Sequence, residues 1–452
     1  MERKIKLPPK PRSLLLRLAS AGFAAYAVGG CVRDSLLGLV PQDWDICTSA
    51  KPEELLQCFA GERTIMTGVR YGTVTVLLEE ELFEVTTFRA DLGYSDSRHP
   101  DGVRFLSSLR GDLARRDFTV NAMAADAEGT VIDCFGGAED LQNGLIRCVG
   151  TPQERFAEDA LRILRALRFA AKLGFSIEEN TAAAIHALKE RLRSVAPERL
   201  RKELKGLLCG RDAAAVMNEF SDVLCVILPE LAPCIGFLQF NPHHAFDVWQ
   251  HTLCALQRAE PEEALRLAVL LHDIGKPSVF SFDKNLVGHF YGHAAVSAAM
   301  SEKLLRRLHY DNATTKLVTT LVREHDLFLE ATDERRMRRL LARHGEETVR
   351  LLLRLRRADR LGKGKGGEEE IEHATAEAEA LLTRILREEQ CLSLRTLAIG
   401  GDDLIAMGVP RGRQIGALLQ RLLNAVLDGK LANERECLVS YAQTLLSNEE
   451  ND

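Results

Sequence analysis

Two aspartates separated by one residue, Asp43 and Asp45, have spacing that suits metal-dependent chemistry. In an extended strand, residues i and i+2 point to the same face, so the two carboxylates would lie side by side. A cation offsets their repulsion, and hard oxygen ligands of this kind select Mg²⁺. Two such ions can activate a hydroxyl group and stabilise leaving phosphates. The pair predicts a phosphoryl-transfer centre, although two solvated carboxylates on a turn would have the same spacing.

A glycine pair, Gly29 and Gly30, follows a short apolar run, Ala25 to Val28, that is typical of a strand. Glycine lets a ligand approach the backbone closely, and its N–H group can face a phosphate. Arg33, one helical turn further on, can add a charge-assisted contact. A plain tight turn would use the same glycines, so the pair indicates a phosphate site only together with the aspartates.

Three arginines, Arg162, Arg165 and Arg168, share one face of a helix predicted from Phe156 to Leu173. They repel one another unless an anion or carboxylates lie among them, and Asp159 precedes Arg162 by about one helical turn. The segment fits an anionic ligand, and it also fits a solvated basic face with an internal contact between Asp159 and Arg162.

A second set of ligand-type side chains lies further along the chain, on predicted helices or at their ends. In order, it comprises His251, His272, Asp273, His293, His325 and Asp359. Imidazoles and carboxylates are ligands for Mn, Fe, Ni or Mg ions. A single histidine on a helix is usually structural, but six ligand-type residues in this order indicate a metal site. The residues alone do not distinguish a hydrolytic metal site from a packing module that retains a bound metal.

The elements that must position these residues differ between the two ends of the chain. Runs from Val74 to Leu78 and from Leu82 to Phe88 predict a β-hairpin. Beyond Thr151 the strand signal almost disappears, and a glycine-rich stretch, Gly362 to Gly367, breaks the helical pattern as a joint. Further helices are predicted at residues 13–21, 182–192, 264–272, 294–309, 334–361 and 368–389.

Composition limits the possible classes of protein. A chain of 452 residues corresponds to about three average domains, and its ordinary hydrophobic and charged fractions exclude collagen-like, disordered and disulfide-scaffold classes. The net charge of −6 argues against a general nucleic-acid coat.

One segment departs from that average, because residues 335–357 carry nine arginines against two glutamates, a balance of +7. This excess predicts a surface for RNA phosphates whose binding weakens with salt. The alternative is a helix face that pairs with the acidic helix after Glu368. A turn, Arg411-Gly412-Arg413, is a smaller candidate.

The compartment is predicted from charge and cysteine spacing. The longest uncharged stretch near the start, Leu18 to Val32, has 15 residues, short of the ~18 needed to span a bilayer. Arg17 interrupts the apolar run that a signal peptide would need. The 11 cysteines are scattered without a CxxC pair, which predicts reduced thiols and a cytoplasmic location, with no cysteine as nucleophile or metal ligand.

As a set, these segments resemble the class II tRNA nucleotidyltransferases, or CCA-adding enzymes, and their relatives the bacterial poly(A) polymerases. The matching segments, in order and spacing, are Val28 to Gly38, Asp43 to Asp45, Thr87 to Arg89 with Tyr94 to Pro100, Arg115 to Met123, Asp133 to Gly137 and Arg155 to Phe175. Resemblance is weaker at Glu198 to Leu200 and Asn433 to Glu436. The six ligand-type residues resemble the HD phosphohydrolase domain.

The resemblance implies an α+β fold in four parts. A nucleotidyltransferase head with a polymerase β-like mixed sheet would occupy residues 1–150, and an all-α neck with the base- and RNA-binding region residues 151–238. An HD domain would follow at residues 239–366 and a helical tail at residues 367–452.

The resemblance also implies roles for individual residues. Asp43 and Asp45 would hold catalytic Mg²⁺, with Glu84 as a third carboxylate. The nucleotide would be bound by Gly29, Gly30, Arg33, Arg116, Asp159, Arg162, Arg165 and Arg168, of which Asp159 and Arg162 would read the base edge. In the HD domain, His251, His272, Asp273 and Asp359 would bind one metal, and Asp273 would bridge to a second held by His293 and His325.

The implied function is addition of C, C and A to the 3′ end of tRNA from CTP and ATP, with release of pyrophosphate and no template strand. The implied partner is the acceptor arm of tRNA, and neither membrane nor DNA is expected. Phe88 to Pro100 resembles a flexible loop that enzymes adding only CC tend to lack, and the acidic tail is unlike that of poly(A) polymerase. Two alternatives remain open: an enzyme adding only A, including a poly(A) polymerase, and a metal phosphohydrolase whose head senses nucleotides.

Overall fold

A computed structural model describes residues 3–92, 102–241, 245–326, 333–364, 367–388 and 393–449. The chain forms two compact units, residues 1–232 with 307–310, and residues 233–306 with 311–452. The predicted α+β class is confirmed, because a mixed sheet near the N-terminus is followed by helices. Within the described ranges, no helix has the length and apolarity to cross a membrane. The division into four domains stays a prediction.

The first unit is built on a seven-stranded mixed sheet. Its strands, with those of two small additional pairs, are β1 (Ala25–Val28), β2 (Ile46–Thr48), β3 (Arg63–Ile65), β4 (Thr73–Leu78), β5 (Glu81–Thr87), β6 (Arg89–Leu92), β7 (Gly102–Phe105), β8 (Met123–Ala125), β9 (Val131–Asp133), β10 (Leu145–Ile146) and β11 (Ser176–Ile177). The order in the sheet is β3-β4-β5-β2-β1-β8-β9. Only β2 and β5 pair in parallel within it. The predicted hairpin is confirmed as β4 and β5.

Helices cover this sheet and continue beyond it. They are α1 (Pro9–Ser20), α2 (Gly30–Leu36), α3 (Pro52–Cys58), α4 (Leu109–Ala114), α5 (Gly137–Asn143), α6 (Pro152–Glu158), α7 (Leu161–Leu173), α8 (Glu179–Leu188), α9 (Pro197–Leu208), α10 (Ala213–Glu219) and α11 (Ser221–Ile227). Short 3-10 segments occur at Val69–Tyr71, Thr119–Asn121 and Lys189–Ser194.

Two helix predictions in this unit are wrong in part. The single helix predicted from Phe156 to Leu173 is broken at Asp159, whose φ of −141° and ψ of 105° are extended. The side chain of Asp159 accepts a hydrogen bond from Leu161 N at 3.0 Å, and such a local bond competes with helix continuation. The helix predicted over residues 182–192 changes to a 3-10 helix at Lys189.

The second unit is mostly helical. Its elements are α12 (Val248–Arg258), α13 (Glu263–Leu271), α14 (Lys276–Val279), β12 (Ser281–Phe282), β13 (Gly288–His289), α15 (His293–Arg307), α16 (Asn312–Glu324), α17 (Glu334–Gly362), α18 (Glu368–Arg387), α19 (Gly401–Ala406), α20 (Arg413–Leu427) and α21 (Arg435–Glu449). The predicted helices at residues 264–272, 294–309, 334–361 and 368–389 are confirmed within about two residues, the usual uncertainty of helix ends.

The longest helix, α17, is kinked at Gly345, where φ is 77° and ψ is 169°. Its buried face, which includes Met337, Leu340 and Leu353, packs against Leu382 and Ile385 of α18. Helix α17 ends at the predicted breaker, Gly362. Most of the predicted flexible loop, including Tyr94 to Pro100, lies outside the described residues.

Candidate active site and candidate metal centre

Three carboxylates lie close together at the point where β2 begins its pairing with β5. Asp43 and Asp45 directly precede β2, and Glu84 lies on β5. Parallel pairing of Ile46 with Val85 places Asp45 next to Glu84. The pKa of Asp45 is raised to about 6, first by burial and then by Asp43 and Glu84, against the opposing charge of Arg116. A divalent cation would relieve this repulsion, so the donor set fits Mg²⁺.

The glycine pair lies between two guanidinium groups. Gly29 has a φ of 83°, in the region that favours glycine. A Cβ atom on Gly29 would lie 3.0 Å from Arg116 Nη1, and one on Gly30 would lie 3.7 Å from Arg33 Nη2. Because Gly29 and Gly30 carry no side chains, a ligand with several phosphate groups can approach their backbone between the guanidinium groups of Arg33 and Arg116.

The side chain of Arg33 is 5% exposed and is held on three sides. Its Nε donates to Asp34 Oδ1 at 2.8 Å, and its Nη1 donates to Asn121 Oδ1 at 2.6 Å. Its Cζ atom lies 5.1 Å from the centre of the Phe169 ring. Arg33 is therefore a fixed charge beneath Gly30. Asn121 and Phe169 were not identified as site residues from the sequence, although Asn121 lies in the segment Arg115 to Met123.

The predicted arginine face of α7 is neutralised by buried carboxylates. Arg165 donates through Nε and Nη2 to Asp117 Oδ2 at 2.8 and 2.6 Å, and Arg168 donates to Glu203. Burial alone would raise the pKa of Asp117, but Arg165, together with Asn121 and Arg162, lowers that pKa to about 2. Glu203 lies on α9. Its role as a partner of Arg168 could not be predicted from the sequence, because the two residues are 35 positions apart.

The two residues predicted to read the base lie at the start of α7. Arg162 Nη1 lies 2.5 Å from Glu158 Oε2, and Asp159 Oδ2 accepts a hydrogen bond from Arg199 Nη2 at 2.7 Å. The side chains of Arg162 and Asp159 are 10% and 14% exposed. The structure thus gives each one a partner of opposite charge, and a base contact would have to share or replace these bonds.

The six ligand-type side chains of the second unit come together around Asp273. They are contributed by α12 (His251), the end of α13 (His272 and Asp273), the start of α15 (His293), the end of α16 (His325) and α17 (Asp359). His251 Nε2 lies 3.0 Å from Asp359 Oδ1, and His272 Nε2 lies 3.1 Å from Asp273 Oδ2. On the other side, His293 Nε2 and His325 Nε2 lie 3.3 and 3.7 Å from Asp273 Oδ1.

These residues form two candidate ligand triplets that share Asp273. His251, His272 and Asp273 form one, and Asp273, His293 and His325 form the other, with the ligand atoms of each triplet within 4.8 Å of one another. The sequence-based prediction also assigned Asp359 to the first metal, and its Oδ1 lies 3.0 Å from His251 Nε2 outside the triplet; two metals sharing Asp273 stay a prediction.

Hydrogen bonds to the backbone orient three of the imidazoles. The Nδ1 atoms of His272, His293 and His325 lie 2.7, 2.9 and 2.6 Å from the carbonyl oxygens of Val269, Phe290 and Val322. A ring that donates from Nδ1 keeps an unprotonated Nε2 for a metal. His293 Nε2 and His325 Nε2 face each other at 3.1 Å, and their lone pairs would repel without a cation. The donor set therefore fits a divalent metal ion.

A buried lysine supports this cluster. Lys276 Nζ lies 2.7 Å from Asp273 Oδ2 and donates to Gln239 Oε1 at 2.9 Å. It was not identified from the sequence, although its position three residues after Asp273 puts both on one face of a helical turn.

The arginine-rich segment at residues 335–357 is largely paired within the second unit. At least seven of its nine arginines have carboxylate partners: Arg335 and Arg339 with Asp428, Arg338 with Glu334, Arg343 with Glu324, Arg350 with Glu346, Arg354 with Glu260 and Glu262, and Arg357 with Glu372. The acidic helix α18 supplies one of these partners, Glu372. This pairing favours a structural role for much of the segment over an open RNA surface.

Known families and relatives match this architecture. Family models described as "Poly A polymerase head domain", "Probable RNA and SrmB- binding site of polymerase A" and "tRNA nucleotidyltransferase domain 2 putative" match residues 25–147, 174–235 and 289–442. A CCA-adding enzyme of Limosilactobacillus fermentum is 36% identical over 447 residues, 96% of each chain. The chain belongs to the CCA-adding enzyme family.

Other members of the CCA-adding enzyme family extend this similarity. The enzyme of Lactobacillus helveticus is 34% identical and is matched over 97% of this chain and 98% of its own. The solved structure of the Bacillus stearothermophilus CCA-adding enzyme in complex with CTP covers 98% of this chain and 100% of its own, with 28% identity and a TM-score of 0.75.

Proposed function

We propose that this chain adds C, C and A to the 3′ end of tRNA, using CTP and ATP and releasing pyrophosphate. The observation that carries the proposal is the convergence of Asp43, Asp45 and Glu84. Asp45 O accepts a hydrogen bond from Val28 N, directly before the glycine pair, and the chain is similar over at least 96% of its length to CCA-adding enzymes. Addition of A alone and a purely sensing head are not favoured by these relatives. The free thiols of the described cysteines support a cytoplasmic location.

Asp43, Asp45 and Glu84 would hold Mg²⁺, which supplies positive charge for activating a hydroxyl group and stabilising the leaving pyrophosphate. Gly29 and Gly30 leave room for the triphosphate against the backbone. Arg33 and Arg116 place fixed cations on either side of it. The oxygen of the RNA 3′-hydroxyl then attacks the α-phosphorus in line, the bond to pyrophosphate breaks, and the hydroxyl proton is released to solvent.

Asp159 and Arg162 would select the base. A carboxylate accepts a hydrogen bond from the exocyclic amine of cytosine or adenine, and a guanidinium donates to ring acceptors. Uracil and guanine do not present the amine at that place. The ion pairs of Arg165 with Asp117 and of Arg168 with Glu203 support this proposal, because they hold α7 in position.

The acceptor arm of tRNA is the proposed RNA partner, recognised by shape and backbone. Candidate contacts include the basic turn at Arg411 and Arg413 and the exposed arginines of residues 335–357. Most of the latter are already paired, so they would contribute to RNA binding only where phosphate replaces a carboxylate.

A single assay tests the transferase. The protein is given tRNA that ends at the discriminator base, with CTP, ATP or both. We expect two C residues with CTP alone and a complete CCA end with both nucleotides. Incorporation of A without C would identify an A-only enzyme and refute the main proposal.

A second candidate function is favoured by the two ligand triplets around Asp273. We propose an HD-type site that binds Mn, Ni, Fe or Mg ions and hydrolyses phosphate esters. A water oxygen would attack phosphorus, a P–O ester bond would break, and the leaving oxygen would take a proton. The oriented Nε2 atoms support metal binding, because three rings already donate from Nδ1 to backbone oxygens.

The hydrolase is tested with 2′,3′-cyclic nucleotides and 2′-nucleotides in the presence of each metal in turn. We expect turnover with at least one metal, lost on chelation. If the unsubstituted protein binds metal but hydrolyses none of these substrates, the hydrolase proposal is wrong and the cluster is a structural metal site.

A further inference from the structure

A cavity of about 630 Å³ lies in the second unit, between helices α17 and α20 and the segment that precedes α19. This volume is in the range of small-molecule sites. Three arginines line it, Arg339, Arg343 and Arg395, and no aspartate or glutamate is among the described residues of its lining. The cavity therefore suits a ligand that carries negative charge.

Helical spacing forms the two long walls of the cavity. Helix α17 contributes Arg339, Ala342 and Arg343, which share one face because they are three and four residues apart. Helix α20 contributes Leu423 and Leu427 with the same spacing. Both leucines are buried in a core cluster against which Ala342 packs. The cavity thus joins cations to an apolar floor.

Two of the arginines are held in place by carboxylates outside the lining. Arg339 Nε donates to Asp428 Oδ1 at 2.8 Å, and the same carboxylate also pairs with Arg335. Arg343 Nη1 lies 3.3 Å from Glu324 Oε1. Both carboxylates are nearly buried, whereas the side chains of Arg339 and Arg343 are 51% and 68% exposed. The guanidinium groups are therefore positioned and still accessible to a ligand.

The remaining residues of the rim supply further polar and apolar groups. Arg395 is exposed and has no carboxylate partner within the described ranges of the chain, and its neighbour Leu394 is exposed as well. Gln420 Nε2 donates to Asn424 Oδ1 at 3.2 Å. The amide N–H groups of Asn424 and the amide oxygen of Gln420 remain as donors and an acceptor for the polar edge of a ligand.

The surroundings favour a small ligand over RNA. Other arginines along α17 are paired with carboxylates outside the cavity, among them Arg338, Arg350, Arg354 and Arg357. RNA gains affinity from a row of available cations that follows its backbone. A single phosphate group needs only the three arginines of the cavity.

We propose that this cavity is a binding site for a small phosphate monoester with a planar body, the chemistry of a nucleoside monophosphate. The arginines would hold the phosphate, since a guanidinium group matches its oxygens. The base would lie on Leu423 and Leu427, with its polar edge toward Asn424 and Gln420. The site uses none of the residues assigned to either proposed catalytic centre.

Amide hydrogen exchange tests the site and its location. The full-length protein is kept in EDTA, which withholds metal ions from both proposed catalytic centres, and is mixed with AMP, ribose 5-phosphate or adenosine. We expect AMP to protect the amides of residues 393–396 and 417–427. Ribose 5-phosphate should bind more weakly because it lacks the base, and adenosine more weakly because it lacks the phosphate.

Variants identify the groups that bind AMP. Arg395→Gln removes one cation and should raise the AMP concentration for half-maximal protection at least about tenfold. Asn424→Ala should weaken binding of AMP but not of ribose 5-phosphate. Arg306→Gln, at an exposed arginine of α15 outside the cavity, is the matched control and should leave AMP binding unchanged.

Several results would overturn the proposal. These are absence of protection by AMP, and protection by AMP that is equal in Arg395→Gln and the unsubstituted protein. Protection of the same residues by a short oligoadenylate but not by AMP would assign the cavity to RNA instead. Equal affinity for AMP and ribose 5-phosphate would overturn the assignment of a nucleoside.

Discussion

At the scale of single residues, Asp117 shows how strongly this fold depends on paired charges. Its side chain is 8% exposed and faces Arg165, while Asn121 donates to its other oxygen. Arg33 contacts the same Asn121. A continuous chain of hydrogen bonds therefore runs from Arg33, beside Gly30, through Asn121 and Asp117 to Arg165 of helix α7.

Replacing Asp117 should change how stability depends on pH. Its folded pKa of about 2 lies below the ordinary value near 3.9, so the native state binds fewer protons. The resulting contribution, about 2 kcal/mol, is fully present above pH ~4 and is lost as the pH falls toward 2. In urea unfolding, the deficit of Asp117→Asn should be constant from about pH 5 to 8 and shrink below about pH 4. Glu190→Gln, which removes an exposed ion pair with Arg193, should show no comparable change.

Gly29 offers a test of the proposed triphosphate site. Ala at this position would need a φ of 83° and would bring a Cβ within 3.0 Å of Arg116 Nη1. We expect Gly29→Ala to lower kcat/KM for CTP by at least about tenfold, because a displaced cation no longer meets the phosphates. Gly38 has a similar φ of 72°, but a Cβ added there would meet open space. Gly38→Ala should therefore have the same backbone strain as Gly29→Ala without displacing an arginine. Equal loss of activity in both variants would contradict a role specific to Gly29.

At the scale of elements, sequence periodicity predicted most helices and the β4–β5 hairpin, because an amphipathic face and β-branched runs are local signals. The break between α6 and α7 was not predicted, because it depends on one local hydrogen bond, which Leu161 N donates to the side chain of Asp159. Asp43, Asp45 and the six ligand-type residues of the second unit were predicted as site residues from their types and order. Glu203 and Gln239 were not, because their partners, Arg168 and Lys276, are brought to them only by tertiary folding.

The pairing of α17 with α20 gives a prediction at this scale. Arg335 and Arg339 both reach Asp428, whose side chain is 7% exposed at the end of α20. Asp428→Asn should lower the free energy of unfolding by about 1 kcal/mol, since two cations lose a common, nearly buried partner. Arg350→Gln removes an exposed pair within α17 and should cost only a few tenths of a kcal/mol. A double-mutant cycle with Arg339→Gln should show coupling, and additivity would contradict the pairing.

At the scale of the whole molecule, the net charge of −6 is a sum over regions in which positive and negative side chains already pair with each other. The arginine-rich segment is balanced by carboxylates from several helices of its own unit. A binding surface for RNA is therefore expected to be small and specific. The affinity for tRNA should fall as salt rises, and replacing an arginine of residues 335–357 that has a carboxylate partner, such as Arg339→Gln, should change the slope of log Kd against log salt little.

The two candidate sites lie on different units, so their activities should be separable. Asp43→Ala with Asp45→Ala removes the carboxylates of the first unit and should abolish CTP incorporation, while metal-dependent hydrolysis remains. His272→Ala with Asp273→Ala should have the opposite effect, because both residues belong to the cluster shared around Asp273. Circular dichroism and thermal unfolding of each pair would verify the fold. Loss of both activities in either folded variant would contradict two independent centres, because no residue is common to the two sets of ligands.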